Sequence, residues 1–94
     1  MPPCAVELGS RFRDQVRILP GDSRREIEGA LRRLSEIFGK PHLHSGLGIR
    51  KLRDSYFECR VGRDTRMVFK LERSTLVMTR IGNHEDIRNF LKGR

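Results

Sequence analysis

Nowhere in the chain is there a run of about eighteen apolar residues, so no segment reads as a membrane-spanning helix. The opening stretch, MPPCAVELGS, lacks the basic-then-apolar order of a secretory signal and already carries Glu7. A soluble, cytoplasmic domain is therefore expected. Cysteine is scarce: Cys4 and Cys59 lie far apart without metal-ligand spacing, and both are expected as free thiols, Cys59 as a small core residue. His42, His44 and His84 make no zinc pattern either, so neither a metal nor another cofactor is expected. No repeat, low-complexity tract or linker divides the 94 residues, and residues 1–94 are read as one domain. Lysine is also rare, confined to Lys40, Lys51, Lys70 and Lys92, so 16 of the 20 cations are arginine. Against 12 acidic residues this leaves a net charge of +8. Arginine forms planar, bidentate contacts with phosphate and stacks on bases, where lysine offers a point charge. An arginine-dominated excess points to nucleic acid or to an acidic protein partner.

What is present orders itself as α+β. Residues 4–8, CAVEL, read as a short first strand. SRFRDQVRIL places Phe12, Val16 and Leu19 on one side of a helix that Pro20-Gly21 ends. Ser23 with Glu26 three residues on makes a capping box for a second helix, whose Ile27, Ala30, Leu31, Leu34, Ile37 and Phe38 keep helical spacing up to Gly39. Residues 40–54 read as a loop with a short strand near Ile49–Leu52. Three strands follow at 56–61, 65–71 and 75–81, joined by the tight turns GRD and ERS. Asn83 caps a final helix with Asp86 at its third position and Ile87, Phe90 and Leu91 turned inward. The expected architecture is a helical hairpin packed on an antiparallel sheet of three to four strands, with a short C-terminal helix.

The register of the first hairpin carries the functional reading. A three-residue loop at Gly62–Asp64 pairs Val61 with Thr65, Cys59 with Met67 and Phe57 with Phe69. Apolar then meets apolar, and the other face receives Tyr56, Glu58, Arg60, Arg66 and Lys70. A two-residue loop would mix the faces and bury an arginine at a cost of several kcal/mol. The preferred register sets Arg60 opposite Arg66, which is unfavourable unless an anion sits between them. Phosphate is the obvious anion. His84, directly after the last strand, is placed to exchange a proton at that end of the face.

In that order, KLRDSYFECRVGRDTRMVFKL followed by TLVMTRIGNHEDIRNFL resembles the RelE/ParE superfamily of bacterial toxin–antitoxin toxins. The similarity runs through the KLR lead-in, the strand with Tyr56 and Arg60, the RMVF strand, the IGNH end of the last strand and the two-helix N-terminal half. It is strongest to the histidine-containing messenger-RNA interferases of the YafQ and YoeB kind. The resemblance implies a RelE-like fold, cleavage of ribosome-bound mRNA and an antitoxin partner. It implies catalytic roles for His84, Arg66 and Arg60, and equates the family's loop histidine with His44 and its hairpin aspartate with Asp64. Phe90 takes the place of a C-terminal aromatic residue but lacks the tyrosine hydroxyl of RelE-like members. Glu58 stands where some members have lysine, and Thr65 where YafQ-like members have an aromatic side chain.

In the cleavage so implied, Arg60 and Arg66 stabilise charge on the phosphorus, His84 protonates the leaving oxygen, and Glu58 or His44 acts as base. Arg50, Lys51, Arg53, Arg63, Asp64, Lys70 and Phe90 are expected to contact RNA, either mRNA or ribosomal RNA. Arg24, Arg25, Arg32 and Arg33 read equally as a ribosomal RNA grip or a solvated helix face. Two alternatives stand beside this: a ParE-like inhibitor of DNA gyrase, and a non-catalytic RNA- or ribosome-binding module. The sequence leaves base preference, antitoxin family and oligomeric state open.

Overall fold

The computed structural model describes residues 4–40 and 45–93. Its elements run β1 (Ala5–Leu8), α1 (Ser10–Arg17), α2 (Gly21–Ile37), a 3-10 turn (Ser45–Leu47), β2 (Arg50–Lys51), β3 (Tyr56–Val61), β4 (Thr65–Glu72), β5 (Thr75–Gly82) and α3 (His84–Lys92). The α+β expectation holds, but the sheet needs correcting. It has five strands in the order β1-β5-β4-β3-β2, and it is mixed, because β1 lies parallel to β5. The pairing joins the two ends of the chain, and no local turn announces it. Alternation explains why β1 belongs in the sheet: Val6 and Leu8 face the helices while Ala5 and Glu7 face away. From Leu8 the chain turns through Gly9, whose N–H donates to the Met78 carbonyl at 2.9 Å.

The β3–β4 hairpin adopts the expected register, including Arg60 opposite Arg66 and Glu58 opposite Val68. Phe57 and Phe69 stack at 5.6 Å between centroids, and Phe38 of the α2 end meets both rings edge-on at 5.3 and 5.7 Å. Helices α1 and α2 cover this face, with Phe12, Ile27, Leu34, Met67, Leu76 and Met78 in one dry cluster. Between β4 and β5 the register shifts after Val68: Arg80 opposes Val68, yet Met78 opposes Phe69. Thr79 is the extra residue, and its hydroxyl donates to the Val68 carbonyl at 3.0 Å. This bulge lets both Met78 and Ile81 reach the helix-covered face, which strict alternation would forbid.

The second helix also differs from expectation. It begins at Gly21 with Pro20 at the N-cap, and no side chain caps it, so Ser23 and Glu26 form no capping box. The connection from α1 is only Ile18–Pro20, so Ser23 is already inside the first turn. Arg24 of that first turn instead serves the preceding helix end, its guanidinium donating to the Arg17 and Leu19 carbonyls, each at 3.2 Å. Gln15 of α1 reaches the far end of β5, donating to the Ile81 carbonyl at 2.7 Å and accepting from its N–H at 2.8 Å. Among the described residues no helix is long and apolar enough to cross a membrane.

The opposite face is not the open pleat that the strand pattern alone implied. Helix α3 crosses it and buries Ile87 with Tyr56 and Val68, supported by Leu52, Phe90 and Leu91. Its start is fixed as expected by a reciprocal cap: the Asp86 N–H donates to Asn83 Oδ1 at 2.8 Å, and the Asn83 N–H to Asp86 Oδ2 at 3.0 Å. Gly82 permits this close turn, since a Cβ there would lie 2.6 Å from the Asp86 Cβ.

Candidate functional site

On the α3 face, side chains of β2 to β5 fall into rows set by the register. Arg60, Arg66 and Gly82 form the row at the hairpin end; Arg50, Glu58, Val68 and Arg80 form the next. Helix α3 sits over the second row and beyond, so the first row is left at its N-terminal end, where His84 begins the helix.

Glu58 organises this end. It is 2 % exposed, and its Oε2 accepts from Arg66 at 2.8 Å and lies 3.1 Å from the Arg50 guanidinium. A carboxylate this deeply buried requires such partners, because an unpaired charge there is costly. Arg66 is thereby drawn toward Glu58 and held. Arg60 instead lies against Gly48, the residue after the 3-10 turn. Its guanidinium packs so close to Gly48 that a Cβ at Gly48 would meet the Nε at 2.5 Å, and Gly48 itself has φ +62°. Arg60 and Arg66 are thus cross-strand partners whose head groups are stationed separately, one on a buried acid and one on backbone.

Beside Arg66 opens a cleft of about 730 Å³ lined by Arg63, Asp64, Arg66, Asn83, His84, Glu85 and Arg88. The β3–β4 turn supplies Arg63 and Asp64, β4 supplies Arg66, and the start of α3 supplies the rest. His84 is exposed, and its Nε2 accepts a hydrogen bond from Arg88 at 3.0 Å. The cleft therefore brings together three arginines, a histidine and two carboxylates. It can hold an anion and place an imidazole beside it.

The remaining sequence-predicted residues distribute as follows. Lys51 is exposed on the two-residue edge strand β2. Arg53 donates to the Leu91 carbonyl at 3.4 Å, pinning the C-terminal end of α3. Lys70 lies 5.8 Å from the Tyr56 ring centre and 3.4 Å from Glu72, at the end of the face away from His84. Phe90 is half-buried edge-on to Tyr56, with the Arg80 guanidinium 4.9 Å from its ring centre. His44 lies outside the described residues, as does His42. Two arginines escaped the sequence reading. Arg88 had a usable signal, four residues after His84 in a helix already expected. Arg80 had a weaker one, the break in alternation at Met78-Thr79-Arg80-Ile81 that marks the bulge.

No family model matches the sequence, and no curated protein matches it. Solved structures do match the fold. The archaeal RelE of a RelE–RelB complex from Pyrococcus horikoshii superposes with a TM-score of 0.70 at 15% identity, over 88% of this chain and 96% of that one. YafQ from Escherichia coli gives 0.66 at 18% identity, over 89% and 97%. RelE of an antitoxin–toxin complex from Methanococcus jannaschii gives 0.66 at 19% identity, over 89% and 96%. Across nearly its whole length, then, this chain has the fold of the RelE and YafQ toxins.

Proposed function

We propose that the chain is the toxin of a type II toxin–antitoxin pair and acts as an endoribonuclease on mRNA, held on the ribosome. The observation that carries this reading is Arg66, fixed by the buried Glu58, in one cleft with His84. RNA brings its own nucleophile. The 2′ oxygen attacks phosphorus, the bond from phosphorus to the 5′ oxygen breaks, and a 2′,3′-cyclic phosphate and a 5′ hydroxyl result. The 2′ proton passes to a base, a role for which His44 stays the candidate, and the 5′ oxygen gains a proton from His84 as general acid. Arg66 stabilises the charge that builds on the phosphoryl oxygens, while Arg60, stationed against Gly48 outside the cleft, adds positive potential to the same face. Glu58 receives a different role from the base first considered: it is a positioning residue that orients Arg66 and Arg50. Arg50, Lys51 and Arg63 hold the RNA backbone in a salt-dependent manner. The RelE structures solved in complex with RelB support an antitoxin as the cellular partner.

The test is induced expression of wild type and His84→Ala with mapping of mRNA 5′ ends, alongside a gyrase supercoiling assay. New 5′ ends with wild type, at least about 100-fold fewer with His84→Ala, and unaffected gyrase are expected. Inhibited gyrase without new ends would favour the ParE-like alternative.

A further inference from the structure

The contact between Arg88 and His84 has a chemical implication of its own. A guanidinium carries only donors and stays protonated in proteins. A ring nitrogen bonded to it can only accept, so the 3.0 Å contact between Arg88 and His84 Nε2 calls for the Nδ1–H form of the imidazole. His84 and Arg88 lie one turn apart on α3, the spacing at which side chains on a helix surface meet. The start of that helix is locked by the Asn83–Asp86 cap and its inner side by buried Ile87. Both residues line the cleft that also contains Arg63 and Arg66.

We infer that Arg88 is a positioning residue for His84, holding Nε2 unprotonated in the free protein and releasing it when an anion in the cleft draws the guanidinium away. This rests on the nuclease reading of the same cleft. An arginine bonded to a neutral imidazole has a better partner available in a phosphate, which accepts charge-assisted and bidentate contacts. Once the guanidinium transfers, Nε2 of the exposed ring is free to take up a proton from solvent, which it then gives to the leaving 5′ oxygen. Acid capacity is thus coupled to occupancy: the imidazole is armed by the ligand it serves.

The experiment uses the full chain labelled with nitrogen-15 histidine, in which the ring nitrogen shifts of His84 report the tautomer. Spectra are taken at about pH 8.5, where an ordinary imidazole is neutral. Wild type is expected as the Nδ1–H tautomer, Arg88→Met as a mixture of the two, and Arg88→Lys with the bias restored. Adding inorganic phosphate should abolish the bias in wild type and leave Arg88→Met unchanged. Cleavage should fall with Arg88→Met and recover in part with Arg88→Lys. Identical wild-type and Arg88→Met spectra would overturn the inference, and so would a wild-type spectrum indifferent to phosphate. If the spectra behave as expected while wild type cuts no RNA, the contact stands and the nuclease reading fails.

Discussion

The two faces of the sheet are built by different rules. One is covered by α1 and α2 and contains a continuous apolar cluster from Phe12 to Met78, where shape decides what fits. The other is only half covered: α3 buries a small cluster around Tyr56, Val68 and Ile87 and leaves charge at its N-terminal end. The first face concentrates apolar burial, and the second concentrates charge. Where they meet is β3, whose adjacent residues Glu58 and Cys59 point to opposite sides and are both buried. The lesson is that a strand of six residues serves both purposes by alternation alone.

Three changes would break or sharpen this contrast. Phe69→Ala, on the helix-covered face, should destabilise the protein by about 3–5 kcal/mol in denaturant unfolding, since it removes a fully buried ring that Phe38 and Phe57 enclose. Glu58→Gln should cost less, about 1–3 kcal/mol, because Arg66 and Arg50 retain access to water. It should nevertheless lower RNA cleavage more steeply than Phe69→Ala does at a temperature where both remain folded. Equal effects on cleavage would mean that the two faces are not divided as described.

The third change is a pH dependence. Burial first, and the Glu58 charge second, push the Cys59 thiol from 9.0 up to about 12. Its folded value is raised, so the neutral thiol favours the folded state. That contribution is fully present below about pH 9 and is lost as pH rises toward 12. Wild type should lose up to about 1.4 kcal/mol more per pH unit in that window than Cys59→Ala. Urea midpoints at a series of alkaline pH values measure the difference, and Glu58→Gln should reduce it.

How much of this was readable beforehand follows the distance over which each feature is decided. The hairpin register came from residues 56–71 because alternation and loop length are local, and so did the Asn83–Asp86 cap. Pairing of β1 with β5 depends on segments about seventy residues apart, and nothing in AVEL names its neighbour. The Ser23 capping pattern was overruled by the shortness of the α1–α2 turn. The position of α3 over the arginine face also lay beyond periodicity, which shows that Ile87, Phe90 and Leu91 turn inward but not which side of the sheet they meet. That Arg66 and His84 share one cleft could be anticipated because each sits next to a turn or cap that the sequence marks. The stationing of Arg60 over Gly48 and of Arg66 on Glu58 depends on how β2 docks: the short strand expected near Ile49–Leu52 is present as Arg50–Lys51, but nothing in so short a pattern gives its partner or register.

Gln15 has one more consequence. Beyond Met78, β1 no longer accompanies β5, and a bare stretch of backbone there would be a template for another chain to add itself as a strand. The carboxamide of Gln15 occupies both Ile81 groups, imitating a neighbouring peptide unit and closing that opening to strangers. A single side chain of α1 thus does for the edge of β5 what a further strand would otherwise do.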